Sequence, residues 1–115
     1  MSPAYEQDLI VTIIKKGYSE EIIAASKKAG AEGATIMFGR GTSIHEQKKI
    51  LGIPIEPEKE IVFTVVPQVI SEKVLSAIVK AGKLERPATG IAFILELKKV
   101  AGVAHLLQEQ NSPGD

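Results

Sequence analysis

The sequence predicts an α+β fold: a four-stranded antiparallel sheet with two helices on one face. Three observations lead there. Four short runs rich in β-branched or aromatic residues alternate with two segments of helical apolar spacing, in the order strand, helix, strand, strand, helix, strand. The two halves so defined are similar, and one long breaker-rich segment joins them. The 115 residues suffice for one compact domain with a real core and fall short of two, so residues 1–115 are expected to form a single domain.

Leu9 to Ile14 is a β-branched apolar run bounded by charges, the pattern of a strand covered on both faces. Ser19 is in place to cap a helix, with Glu20 and Glu21 at its positive end. Ile22, Ala25, Ser26 and Ala29 then recur at helical spacing, and Lys27, Lys28 and Gly30 close it. Ala34 to Phe38 is the second strand. From Gly39 to Lys59 no clean period survives, and breakers recur at Gly41, Gly52, Pro54 and Pro57, so about 39–59 reads as a long loop. Loops of this length inside a small domain are uncommon and often functional.

Glu60 to Val66 is the third strand, ended by Pro67. Ile70, Val74, Leu75, Ile78 and Ala81 define the second helix, with Gly82 as its terminator. A linker from Lys83 to Gly90 leads to the fourth strand, Ile91 to Leu97. Val103 to Leu107 suggests a short further helix, and about 108–115 a flexible tail. Strands that are apolar on both sides need a second cover beyond two helices, and oligomerisation is the simplest one.

Composition narrows the function. Fourteen basic side chains balance fourteen acidic ones, which argues against a general nucleic-acid binder. The lysine pairs 15–16, 27–28, 48–49 and 98–99 fall near element ends or in the loop and read as solvated surface. Without cysteine there is no disulfide, thiolate metal site or cysteine nucleophile. The N-terminus carries Glu6 and Asp8 ahead of the first apolar run, unlike a signal peptide, and no apolar run approaches the roughly 20 residues of a membrane span. A cytoplasmic protein is expected, without direct membrane insertion, so that membrane contact comes through a partner.

Several residues invite a chemical reading. Gly39-Arg40-Gly41 offers either a backbone nest and a guanidinium for an anion, or a plain glycine turn. Thr89-Gly90 is a second place where backbone approaches a phosphate or carboxylate, or simply a loop glycine. His45, Glu46, Glu56 and Glu58 lack the fixed spacing of a metal site, and no metal is expected; His105, beside Leu106 and Leu107, reads as packed or solvent-facing. Ile50, Leu51 and Ile53 are odd in a solvated loop. They read either as partner contacts or as residues folded back on the same oligomer.

The order of elements is that of a ferredoxin-like βαββαβ fold. With Gly33-Ala34-Thr35-Ile36 and Gly39-Arg40 before the loop, the strand Glu60 to Pro67, and Thr89-Gly90-Ile91-Ala92-Phe93 leading to Lys99-Val100-Ala101-Gly102, the chain resembles the PII nitrogen-regulatory signalling family over nearly its whole length. That resemblance implies a homotrimer, an adenine nucleotide (ATP, ADP or AMP) as effector in the clefts between subunits, and a T-loop at about 39–59 that grips a transporter or enzyme. It carries ligand binding onto Thr35, Gly39, Arg40, Gly41, Thr89 and Gly90, and partner binding onto Ile50, Leu51 and Ile53. The chain departs from the family in having Gly41 after the glycine-arginine pair, where oxoglutarate sensors have glutamine. Ile91 stands at the B-loop lysine, Gly102 and Ala104 stand at two phosphate-clamping arginines, and the loop has no tyrosine for uridylylation.

The expected function is therefore non-enzymatic regulation: an anionic effector held near Gly39, Arg40 and Gly90 biases the loop, and a partner such as a membrane transporter reads it. An acylphosphatase on the same topology needs an arginine in the first strand-to-helix loop and an asparagine for water. That loop reads Lys15-Lys16-Gly17-Tyr18, and the only asparagine is Asn111. A ligand-free structural oligomer is the third reading.

Overall fold

The computed structural model describes residues 6–42 and 48–102. The suggested helix at Val103 to Leu107, the 108–115 tail, His45, Glu46, Ala104 and His105 lie outside them. Strand β1 (Gln7–Lys15) leads to helix α1 (Ser19–Lys28) and strand β2 (Thr35–Arg40). A hairpin of β3 (Lys48–Ile50) and β4 (Ile53–Ile55) follows, then β5 (Glu58–Pro67), helix α2 (Gln68–Gly82) and β6 (Gly90–Leu97). The main sheet runs β2-β5-β1-β6 with every neighbour antiparallel. This is the ferredoxin-like arrangement, and β1 and β5 are its centre.

Side-chain alternation divides the sheet cleanly. Even-numbered residues Ile10 and Ile14 of β1 and Val62 and Val66 of β5 face the helices, where they close a fully buried core with Ile22 of α1 and Val74 and Ile78 of α2. Ala92 and Ile94 extend that core from β6. Odd-numbered residues form cross-strand rows on the opposite face. Met37, Ile61, Ile13 and Ile91 share one row, and Thr35, Phe63, Val11 and Phe93 the next. Val65, Leu9 and Leu95 make a third. Val11, between two phenylalanines, is buried, but Met37, Val65, Ile91, Phe93 and Leu95 are exposed. Among the described residues the helices cover one face, and the other is apolar and exposed.

Helix α1 begins differently from its sequence signature. Ser19 is the first helical residue, and Tyr18 in the cap position makes no side-chain cap bond. Instead the Ser19 N–H donates to Glu60 Oε1 at 3.0 Å, so a carboxylate from β5 meets the positive end of the helix. Hydrogen bonding from the Ser19 side chain holds the Glu60 carboxyl below the usual glutamate range. Backbone bonds from Ser19 and Gly17 and the charge of Lys16 add to this, against the opposing effect of burial. At the other end, Gly30 at φ 121° closes a Schellman motif, with Ala31 N–H to Ser26 O at 2.9 Å and Gly30 N–H to Lys27 O at 3.0 Å.

Helix α2 corrects the role expected of Gly82. The left-handed residue is Lys83, at φ 53°, and Leu84 N–H bonds to Val79 O at 3.0 Å across it. Gly82 is the last helical residue, and a Cβ there would lie 2.9 Å from Ile22 Cδ1. Its lack of a side chain leaves room for the ends of Ile22, Leu84 and Ile14 against the end of α2.

The expected structureless stretch from Gly39 to Lys59 is also corrected. β2 runs on through Arg40 and β5 starts at Glu58, so Gly39 pairs with Lys59 and Arg40 with Glu58. Between them β3 and β4 pair through a two-residue turn, Leu51 at φ 54° and Gly52 at φ 79°. Both central residues have positive φ, as a hairpin turn twisted like its strands requires.

The depressed pKa of Glu60 sets a pH dependence. Its folded value lies below its unfolded one, so the unfolded chain takes up the proton first on acidification. The stabilisation is complete above the unfolded value of about 4.3 and is lost as pH falls through the folded value. Urea denaturation followed from about pH 7 to about pH 3 is expected to show this loss, and Glu60→Gln to remove that part of the pH dependence while lowering stability at neutral pH.

Candidate functional site

A cleft of about 700 Å³ opens at the end of the sheet where β1 and β2 finish and β5 and β6 begin. Its floor is the open-face row end, Ile13, Ile61 and Ile91, and its walls are the segment 39–42 and the turn 84–88. Gly90 shapes the junction. At φ 152° it occupies backbone space closed to other residues, and a Cβ there would lie 2.6 Å from the Ile13 carbonyl oxygen. Only glycine lets β6 start this close to β1.

The cleft is basic. Arg40, Lys59 and Arg86 line it against one acid, Glu85. Lys59 is buried, carried by β5 opposite Gly39. Arg86 is presented by a braced turn: its N–H donates to Lys83 O at 3.0 Å, and Thr89 Oγ1 lies 2.9 Å from both the Lys83 and Arg86 carbonyl oxygens. Ala88 within the turn holds φ 66°, a further constrained position.

Four of the six residues to which sequence assigns ligand binding meet here: Gly39, Arg40, Gly41 and Gly90. Thr35 lies elsewhere, in the row with Phe63 and Val11. Thr89 lines a smaller neighbouring cavity of about 250 Å³ and braces the turn. The backbone nest suggested for 39–41 is corrected. Gly39 and Arg40 are strand residues, whose successive N–H groups point to opposite edges, and the Gly41 N–H is bonded to Pro57 O at 3.1 Å. The Arg40 guanidinium is then what this segment offers an anion.

Lys59, Arg86 and the apolar floor escape a linear reading. The Gly39–Lys59 register places the lysine, and the turn after α2 places the arginine. The available signal was a cation in a Pro-containing linker four residues before Gly90. Ile50, Leu51 and Ile53, the expected partner contacts, cluster at the tip of the β3–β4 hairpin and are all exposed.

No family model matches the sequence, and no curated protein does. Among solved structures, the crystal structure of a Bacillus cereus protein related to NIF3 is similar, with a TM-score of 0.62 at 21% identity. The match covers 83% of this chain and 26% of that one, so the chain spans about a quarter of its length. At this identity the likeness is one of fold. Among the described residues no helix is long and apolar enough to cross a membrane.

Gly90→Ala is expected to destabilise the protein by at least about 2 kcal/mol, because the added carbon meets backbone that cannot swing away and the φ is unfavourable. Chemical denaturation measures it; an unchanged midpoint would refute the close approach of β6 to β1.

Proposed function

We propose that the chain is a PII-like, non-enzymatic regulatory module that binds an anionic effector in the basic cleft. The observation that carries this is the convergence of Arg40, Lys59 and Arg86 on a glycine-shaped cleft at the base of a long interstrand segment. The guanidinium pair of Arg40 and Arg86 suits a phosphorylated or carboxylate ligand, and Ile13, Ile61 and Ile91 suit a flat apolar ring such as a nucleobase. ATP, ADP and AMP are the first effectors to test. Arg86 supplies a cation close to where the family's B-loop lysine is replaced by Ile91.

The cleft adjoins β2, which leads into the 41–57 segment. An effector contacting Arg40 at the end of β2 therefore acts where that segment leaves the sheet, and differential contact in two shapes of the segment is what a switch requires. A partner at a membrane, such as a transporter, is the target class. The open apolar face supports a homotrimer in which second copies supply the missing cover.

Calorimetric titration with ATP, ADP and AMP is expected to show saturable binding of at least one, weakened about tenfold or more by Arg40→Ala and by Arg86→Ala. Absence of binding at millimolar ligand would refute the effector reading. Separately, light scattering is expected to give a trimer mass for the natural chain and a smaller one for Phe93→Asp, which places a charge on the open face; a monomeric natural chain would refute the oligomer.

A further inference from the structure

The β3–β4 hairpin is unusual in what it puts at its tip. A two-residue turn with positive φ at both positions favours Asn-Gly or Asp-Gly, whose first residue tolerates the left-handed backbone. Here that position holds Leu51, at φ 54°. Leu51 is 95% exposed, so among the described residues no packing offsets the backbone strain. Ile50 and Ile53, paired across the turn, are exposed at 61% and 63%. Three large aliphatic side chains thus crown a projecting ribbon that pairs within a two-stranded sheet of its own. Folding of the chain gains nothing from a leucine here, whereas asparagine would make a better turn.

The shape and charge of the finger indicate what it meets. It is convex and apolar at the end, with lysines at positions 48 and 49 and the first acid beyond the turn at Glu56. At about 3.3 Å per residue, Lys49 stands roughly 7 Å behind Leu51, and Glu56 roughly 13 Å behind Gly52. An interfacial element buries its apolar part about 5–10 Å into the headgroup and acyl boundary. With the tip at that depth, Lys49 lies among the lipid phosphates and Glu56 stays outside them.

We infer that the β3–β4 hairpin is a membrane-docking finger, inserting Ile50, Leu51 and Ile53 into the interface of an anionic bilayer with Lys49 at the phosphate level. This replaces the expectation that membrane contact comes only through a partner, and it stands independently of the effector cleft. The surface is entered from one side and not spanned.

Co-sedimentation with vesicles of phosphatidylcholine containing about 30% phosphatidylserine tests it. The natural chain is expected to bind these vesicles, to bind pure phosphatidylcholine far less, and to release as salt rises. Leu51→Asn is the informative variant, since it improves the turn while removing the apolar tip. It is expected to weaken vesicle binding about tenfold or more with thermal stability unchanged or raised, and with cleft titrations unaffected. Lys49→Glu is expected to weaken binding to the anionic vesicles only. Equal binding by Leu51→Asn and the natural chain, or no binding to anionic vesicles, overturns the inference and leaves the tip to a protein partner or a second copy.

Discussion

The structure depends on a constraint in its two central strands. β1 and β5 carry apolar residues on both sides, so the sheet they form demands two covers. The helices supply one, with Ile22, Val74 and Ile78 pressed against Ile10, Ile14, Val62 and Val66. Among the described residues no second layer covers Val65, Phe93 and Leu95. Burial of apolar surface at about 25 cal/mol per Å² makes leaving such a face wet unfavourable. What covers this face thus bears on what surrounds the cleft, because Ile13, Ile61 and Ile91 belong to both.

The basic site arises from strand endings more than from any motif. Antiparallel register brings the end of β2, the start of β5 and the start of β6 to one end of the sheet, and the segment 39–42 and the turn 84–88 wall the cleft there. Gly90 lets β6 begin against the Ile13 carbonyl, and the Thr89 hydroxyl holds the turn that carries Arg86. The cations are therefore fixed by elements distant in sequence. The sheet places Arg40 and Lys59, and the turn after α2 places Arg86.

How much of this was legible in the sequence follows from how local each feature is. β1 and the core of β5 declare themselves through uninterrupted β-branched runs, and both helices through apolar spacing. Strand ends such as Gly39–Arg40 and Glu58–Lys59 do not, because glycine and charge mask residues that only pairing makes extended. The hairpin was hidden by its turn, Leu-Gly in place of Asn-Gly, and by Pro54 within a strand. Ser19 looks like a helix cap because the actual acceptor, Glu60, lies 41 residues away. In the cleft, glycines and Arg40 stood out by type, whereas Lys59 and Arg86 resemble any surface cation until register and turn geometry place them.

β2 has a further consequence. It is an edge strand held by β5 on one side, and Ile36, Met37 and Phe38 along it are exposed, Phe38 by 72%. Proteins usually blunt such an edge with lysine, proline or a bulge, and the run from Thr35 to Gly39 contains no charge and no proline. A newly made chain therefore presents a sticky template along this edge. Synthesis rate and chain concentration then set a race between folding and irregular edge-to-edge stacking, so the yield of usable protein depends on how it is produced as well as on how stable it is.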